Sequence, residues 1–316
     1  MTFSRFLILS TIAVFGFIGV LAYAKKKPDT EKQVAHQEMI VIEEHATPEI
    51  IEVASSDDAP QEVDKVRQLF TTGPSKLPIV ETVKYTSRVP WLKGRPAWIT
   101  DYASHYSTSR HFIARSLNGK PDYFTQKVAS GNKFNVFRKD KNFDFHLIVD
   151  LSKCKMFFYY HDVDTNERML LKSYTVGVGR REDNSASGSL TPLGKYRLGE
   201  KVAIYKEGVT GYFQDSQVEM VQVFGTRWIP FDEEVEGCTE DARGYGIHGA
   251  PWYRRAEDGM LVEDRESVTR FESDGCIRLL QEDVEELFSI VISKPTYVQI
   301  VKTFSEAQLP GIEAED

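Results

Sequence analysis

The chain has 316 residues, 41% of them hydrophobic and 27% charged, an ordinary soluble-globular balance sized for about two domains. That composition excludes a wholly disordered chain, a collagen-like fibre and a polytopic membrane protein. The formal charge of −8 argues against a strongly basic nucleic-acid binder, but it is concentrated: eleven acidic residues face only Lys32 and Lys65 between Pro28 and Val66.

The first element is Phe6 to Ala24, nineteen residues without a charge, preceded by Arg5 and followed by Lys25-Lys26-Lys27. As a helix it would reach about 28 Å, close to the thickness of a bilayer core. An uncleaved membrane anchor and a signal peptide both fit. Ala22-Tyr23-Ala24 has the small-x-small form of a cleavage site. The length of the apolar run favours an anchor, and the three lysines beyond it run against positive-inside expectation for an exported body. Residues 25–66 then read as an acidic flexible spacer.

Residues 90–138 form a short unit. Trp98, Ile99, Tyr102 and Tyr106 fall at near-helical spacing, and so do Phe112, Ile113 and Leu117 after the capping group Ser107-Thr108-Ser109. Asn118-Gly119 ends that second helix. Gly131-Asn132 precedes a strand from Lys133 to Arg138, with Phe134, Val136 and Arg138 expected on one face. The order helix, helix, strand resembles LysM, a small glycan-binding module, although no opening strand stands out. The resemblance rests on DYASHYSTSRHFIARSLNG and SGNKFNVFR; a plain structural prefix is the alternative.

From residue 146 the sequence is β-rich. His146 to Leu151 and Met156 to Tyr160 alternate, Asp164-Thr-Asn-Glu reads as a hairpin turn, and Leu170 to Val178 returns. Lys195 to Leu198, Val218 to Phe224 and Tyr297 to Val301 are further strand-like runs. One clear helix, 282–292, carries Val284, Leu287, Phe288 and Val291 at i, i+3, i+4, i+7. The expected fold is therefore mainly β with one late helix.

Seven histidines and three cysteines supply the candidate chemistry. His248 lies in Gly244-Tyr-Gly-Ile-His-Gly-Ala-Pro-Trp252, where glycines allow close backbone approach. Cys154 sits inside a strand run and reads as packing. Cys238 lies in an acidic loop whose field opposes a thiolate. Cys276, in Ser273-Asp-Gly-Cys-Ile-Arg-Leu279, has Gly275 beside it, so backbone amides can converge near the sulfur. Arg278 can favour the thiolate or hold a substrate carboxylate. An odd cysteine count closes no disulfide framework, and no CxxC or HExxH motif indicates zinc.

Ile247-His-Gly followed by Ser-x-Gly-Cys-Ile-Arg-Leu resembles the YkuD family of L,D-transpeptidases. Val176-Gly-Val-Gly179, Thr191-Pro-Leu-Gly194 and His-Gly-Ala-Pro-Trp agree in order, over about 146–302, leaving 303–316 as a tail. The resemblance implies a β-sandwich with Cys276 as nucleophile, His248 as general base and the Gly249 carbonyl orienting the imidazole. It further implies an oxyanion hole from the amides of Gly275 and Cys276, with Asp274, and supporting or substrate-binding roles for Arg278, Ser273, Tyr245 and Trp252. The implied substrates are peptidoglycan stem peptides and glycan strands, outside the cytoplasmic membrane and reached from a tether at residues 6–24, with no metal, cofactor or nucleic acid.

Departures from the family pattern are Asp274 where a histidine is usual, Gln281 where an asparagine is usual, and a longer gap of 24 residues between His248 and Ser273. An acid beside the thiol should oppose its ionisation unless Arg278 or Arg254/Arg255 offsets it. The charged stretch Arg254 to Phe271 reads as an enlarged lid or a solvated loop. Rival functions are an L,D-carboxypeptidase on the same site, transfer to a protein lysine, a non-catalytic peptidoglycan-binding anchor, and a metallopeptidase.

Overall fold

A computed structural model describes residues 59–120 and 127–314. Among them no helix is long and apolar enough to cross a membrane; the apolar run at 6–24 and most of the acidic spacer lie outside the described residues.

The small unit opens with a strand that sequence reading missed. Strand β1 (Val80–Lys84) pairs antiparallel with β2 (Lys133–Phe137), Val80 opposite Phe137 and Lys84 opposite Lys133. Two helices, Ile99–His105 and Arg110–Asn118, lie between them in sequence. The second begins as its sequence indicates: the Ser109 hydroxyl accepts from Phe112 N–H at 3.0 Å, and Gly119 closes it at φ 75°.

Phe134 and Val136 share one face of β2 as expected, and the opposite face is buried as well. Phe134 and Val136 pack with Tyr102 and Ile113, but Phe137, on the opposite face, is equally buried and joins the main core with Phe112. A strand between two apolar clusters has no solvent face, so alternation cannot reveal it.

The body is built on a ten-stranded sheet, with three two-stranded sheets beside it. Its elements are β3 (Phe143–Asp150), β4 (Lys155–Asp162), β5 (Glu167–Thr175), β6 (Val178–Gly179), β7 (Gly194–Leu198), β8 (Ala203–Ile204), β9 (Thr210–Phe213), β10 (Ser216–Glu219), β11 (Arg227–Glu236), β12 (Gly246–Gly249), β13 (Trp252–Arg254), β14 (Leu261–Glu263), β15 (Phe271–Ser273), β16 (Ile277–Leu279), β17 (Thr296–Val301) and β18 (Ile312–Glu313). The order across the large sheet is β16-β12-β11-β7-β17-β3-β4-β5-β18, with β8 also on β11; the small sheets are β9–β10, β13–β14 and β6–β15.

The sheet curls at β11. The first part of β11 pairs with β12 and β8, and its second part pairs with β7 through two register shifts. Such bulges bend a strand and increase its twist. Helix Gln281–Val291, one residue ahead of expectation, buries Val284, Leu287, Phe288, Ile290 and Val291 in the core.

The expected strand Val218–Phe224 is half wrong. Ser216–Glu219 is a strand, but Val221–Phe224 is one helical turn, stopped by Gly225 at φ 57°. The alternating Val-Gln-Val-Phe suits a strand locally. Tertiary packing overrides it by holding Phe224 among Tyr205, Phe213 and Trp228.

Candidate active site

Strands β12 and β16 run parallel, with Ile247 opposite Ile277 and His248 opposite Arg278. Ile247 and Ile277 point into the core. By strand alternation Gly246 and His248 on one strand, and Cys276 and Arg278 on the other, share the opposite face. Two strands separated by 27 residues of sequence are thereby brought side by side.

His248 is 4% exposed. Its Nδ1 lies 2.7 Å from the Gly249 carbonyl oxygen, which can only accept, so Nδ1 carries the proton and Nε2 keeps its lone pair. Phe224 meets the ring edge-on at 5.3 Å and Trp228 tilts over it at 5.9 Å. Burial pulls the imidazole down to about 3; the Gly249 hydrogen bond opposes that shift and the Arg278 charge adds to it. The ring is therefore neutral at pH 7.

The Cys276 thiol is also neutral there. Burial pushes it up to about 11, against the Gly246 N–H and the Arg278 charge, while Asp274 adds a smaller upward push. The thiol sits 3.7 Å from the Gly244 carbonyl rather than on the imidazole. At rest the thiol and the imidazole are thus both uncharged.

The Ser273–Cys276 turn is tied from within. Ser273, 2% exposed, donates to the Cys276 carbonyl at 2.6 Å and accepts from Gly275 N–H at 3.1 Å. That occupies the Gly275 amide, so Cys276 and Asp274 are the remaining nominated oxyanion donors. Gly275 has φ 114°, and a Cβ there would lie 2.5 Å from the Tyr245 ring and 2.7 Å from the Leu190 carbonyl. Tyr245 therefore closes over this turn.

The upstream motifs form its backing. Gly177 and Arg278 exchange both backbone hydrogen bonds, at 2.9 and 2.8 Å. β15 runs parallel to β6, and the buried Thr191 hydroxyl accepts from Gly179 N–H at 2.7 Å.

Asp274 is balanced by a residue the sequence did not nominate. Arg180 Nη1 lies 2.8 Å from its carboxylate, and Arg180 N–H donates to the Ser273 carbonyl at 2.8 Å. The expected alternatives are elsewhere: Arg254 pairs with Glu219 and Glu207, and Arg255 with Asp258 and Glu257. Arg278 does bear on the thiol; its Nε is buried without a hydrogen-bond partner. Trp252, half-buried, likewise has an unpartnered buried Nε1.

The charged stretch after Arg254 contributes β14 of the β13–β14 hairpin, then a 3₁₀ turn at Arg265–Ser267. Arg265 pairs with Glu282 at the start of helix Gln281–Val291, which fastens the stretch to the body.

Cys154 is buried and Cys238 donates to the Lys195 carbonyl at 3.1 Å. Beside Tyr245 opens a groove of about 670 Å³ lined by Glu236, Glu240, Asp241 and Arg243 among others. Sequence reading missed Arg180, Phe224, Trp228 and this groove; only Glu236's acidic loop had been noticed.

Residues 144–300 match the family model of YkuD, the L,D-transpeptidase catalytic domain, and that domain is found here. The chain is 31% identical over 121 residues to YqjB of Bacillus subtilis strain 168, a protein provisionally named an L,D-transpeptidase. The match takes in 37% of this chain and 53% of YqjB, so the chain spans about half the length of the curated relative it matches. Among solved structures, it is similar to Bd1075 of Bdellovibrio bacteriovorus (TM-score 0.34, 13% identity, 50% of this chain and 48% of that one). It is also similar to the helical cell shape determining protein Pgp2 of Campylobacter jejuni (TM-score 0.35, 18% identity, 54% and 50%).

Proposed function

We propose that the YkuD domain of this chain is a peptidoglycan L,D-transpeptidase that joins stem peptides by 3→3 cross-links through a Cys276 thioester. The observation that carries the reading is the parallel β12–β16 pair, which sets His248 and Cys276 on one face with the imidazole tautomer fixed by Gly249.

The donor is a tetrapeptide ending in a diamino acid and D-alanine. Rotation of the Cys276 side chain away from Gly244 brings Sγ–H to His248 Nε2. The proton passes to Nε2 as sulfur attacks the diamino acid's carbonyl carbon. Both groups rest neutral, so proton transfer accompanies attack. The developing oxyanion is received by the Cys276 and Asp274 amides. When the intermediate collapses, the C–N bond breaks and D-alanine leaves with the proton from Nε2. A side-chain amine of a second stem then attacks the thioester, gives its proton to Nε2, and the thiol is re-formed.

The acidic groove supports an amine acceptor. Glu236, Glu240 and Asp241 offer negative charge to an ammonium-bearing side chain, and Tyr245 lines the groove while covering the Cys276 turn. Water in place of the amine would make the same acyl-enzyme an L,D-carboxypeptidase. Arg278, whose charge favours the Cys276 thiolate, and Trp252 are the further supporting residues of this reading.

The strand–helix–helix–strand order of residues 80–137 supports a LysM-like, glycan-facing role for the small unit. Stem peptides place the enzyme at the extracytoplasmic face, with residues 6–24 as the tether or export signal.

The test incubates the full chain, wild type beside Cys276→Ala, with disaccharide-tetrapeptide and reads products by mass spectrometry. A cross-linked dimer lacking one D-alanine, absent with the variant, is expected. Tripeptide alone would move the assignment to a carboxypeptidase, and turnover surviving Cys276→Ala would end it.

A further inference from the structure

Far along the sheet from Cys276, on β3 and β4, three ligand-type side chains converge. Asp144 and His146 are two residues apart on β3 and so share a face, and His161 stands directly opposite Asp144 on β4. Asp144 Oδ1 lies 3.0 Å from His146 Nε2 and 3.1 Å from His161 Nδ1. All three ligand atoms lie within 4.8 Å of one another. Five inter-strand steps along the sheet separate β16 from β3, so this cluster takes no part in the chemistry proposed at Cys276.

We propose that Asp144, His146 and His161 form a binding site for a divalent transition-metal ion, with zinc the best match, that staples the β3–β4 hairpin.

Geometry supports it first. A tetrahedral ion with bonds of about 2.0–2.1 Å separates its ligand atoms by roughly 3.3 Å. The two oxygen–nitrogen separations are already close to that, and small ring rotations bring in the third. Two imidazoles and one carboxylate suit zinc and its neighbours rather than calcium or magnesium, which prefer all-oxygen shells.

The outer contacts support it next. His161 Nε2 faces Asn166 Oδ1 at 3.2 Å. A ring that donates Nε2–H to that oxygen turns the Nδ1 lone pair toward Asp144, the tautomer a metal requires. A proton on Nδ1 bridges the 3.1 Å to Asp144 when no metal is bound, and an ion at the site takes that proton's place. Asn166 is itself held: its backbone carbonyl accepts from Ile312 N–H at 2.9 Å, and Arg168 donates to the Gly311 carbonyl at 2.6 Å. His146 stacks on Tyr297 at 5.3 Å, which fixes its plane.

The side chains of Asp144 and His161 are 20% and 13% exposed. An ion can therefore enter and keep a water as fourth ligand, as in three-ligand sites generally.

The test titrates the purified full chain, carrying no added histidines, with zinc chloride by calorimetry after chelator treatment. Parallel titrations use His161→Gln, Asp144→Asn and Cys276→Ala. One zinc per chain is expected in wild type and Cys276→Ala, weakened at least tenfold in His161→Gln and in Asp144→Asn. Cobalt substitution should give a visible spectrum without sulfur-to-metal charge transfer. No stoichiometric zinc in wild type, or affinity unchanged in both cluster variants, would overturn the site. Loss in Cys276→Ala alone would reassign the ion to the thiol. Near-UV circular dichroism of each metal-free variant against wild type separates a lost ligand from a lost fold; a change in both variants leaves the cobalt spectrum of wild type to decide.

Discussion

The two residues at the centre of the proposed chemistry are both held uncharged, and that has a consequence for stability. His248 titrates near 3 in the folded chain because burial disfavours the imidazolium; unfolded, it returns to about 6.5. Between those values the unfolded chain binds a proton that the folded chain does not, so stability falls as pH falls. The contribution is intact above about pH 6.5 and shrinks toward pH 3. Between pH 7 and pH 5 the loss is roughly 2 kcal/mol. Urea midpoints at the two pH values should therefore differ more for wild type than for His248→Gln; equal differences would show that the ring is not buried neutral. Asp274 is the other residue-scale issue. Its charge opposes a Cys276 thiolate, and Arg180, itself exposed, offsets it. An exposed pair contributes little, about 1 kcal/mol or less. Arg180→Ala should slow labelling of Cys276 by a thiol-reactive probe up to about fivefold, and adding Asp274→Asn should restore it. Unchanged labelling in Arg180→Ala would remove Arg180 from the account.

At the scale of elements, the motif-bearing pieces were legible and the pieces that shield them were not. Ile-His-Gly and Ser-Asp-Gly-Cys could be read because their chemistry requires specific residue types, and glycine is demanded where Gly275 adopts φ 114° against Tyr245. Helix Gln281–Val291 was legible because one face is apolar and the other is not. The helical turn Val221–Phe224 was not, since its alternation mimics a strand and only Gly225 marks its end. Strand β1 was missed because its middle residues are only half-buried, leaving too weak an alternation to register. The overlooked turn matters for function. Phe224 touches Tyr205, Phe213, Trp228 and His248, so it shields the imidazole from water. Phe224→Ala should admit water and raise the imidazole toward its ordinary value. The acid limb of kcat/KM should then move up by a unit or more, with a stability loss of about 1–3 kcal/mol. A pH profile that keeps its wild-type acid limb would mean that Phe224 packs without tuning the base.

For the whole molecule, sequence composition suggested a small module followed by a separate catalytic body, and the packing ties the two together. Phe112 and Phe137 belong to the small unit by sequence, yet both are fully buried in the same core as Phe145, Phe158 and Phe288. The Ser109 hydroxyl that caps the second small helix also donates to the Ser289 carbonyl at 2.7 Å. His111 meets Phe288 edge-on at 5.2 Å. Shared apolar burial of this kind couples unfolding, because neither part can leave without exposing the other's core. Phe112→Ala removes most of a fully buried ring and should cost about 3–5 kcal/mol. If the two parts form one cooperative unit, calorimetry will show a single transition displaced to lower temperature, and labelling at Cys276 will follow the same melting curve. If they are independent, a small transition will move while the transition of the catalytic body stays at its wild-type temperature. The buried position of Phe112 supports the first outcome, and with it a catalytic body that needs its preceding unit in order to fold.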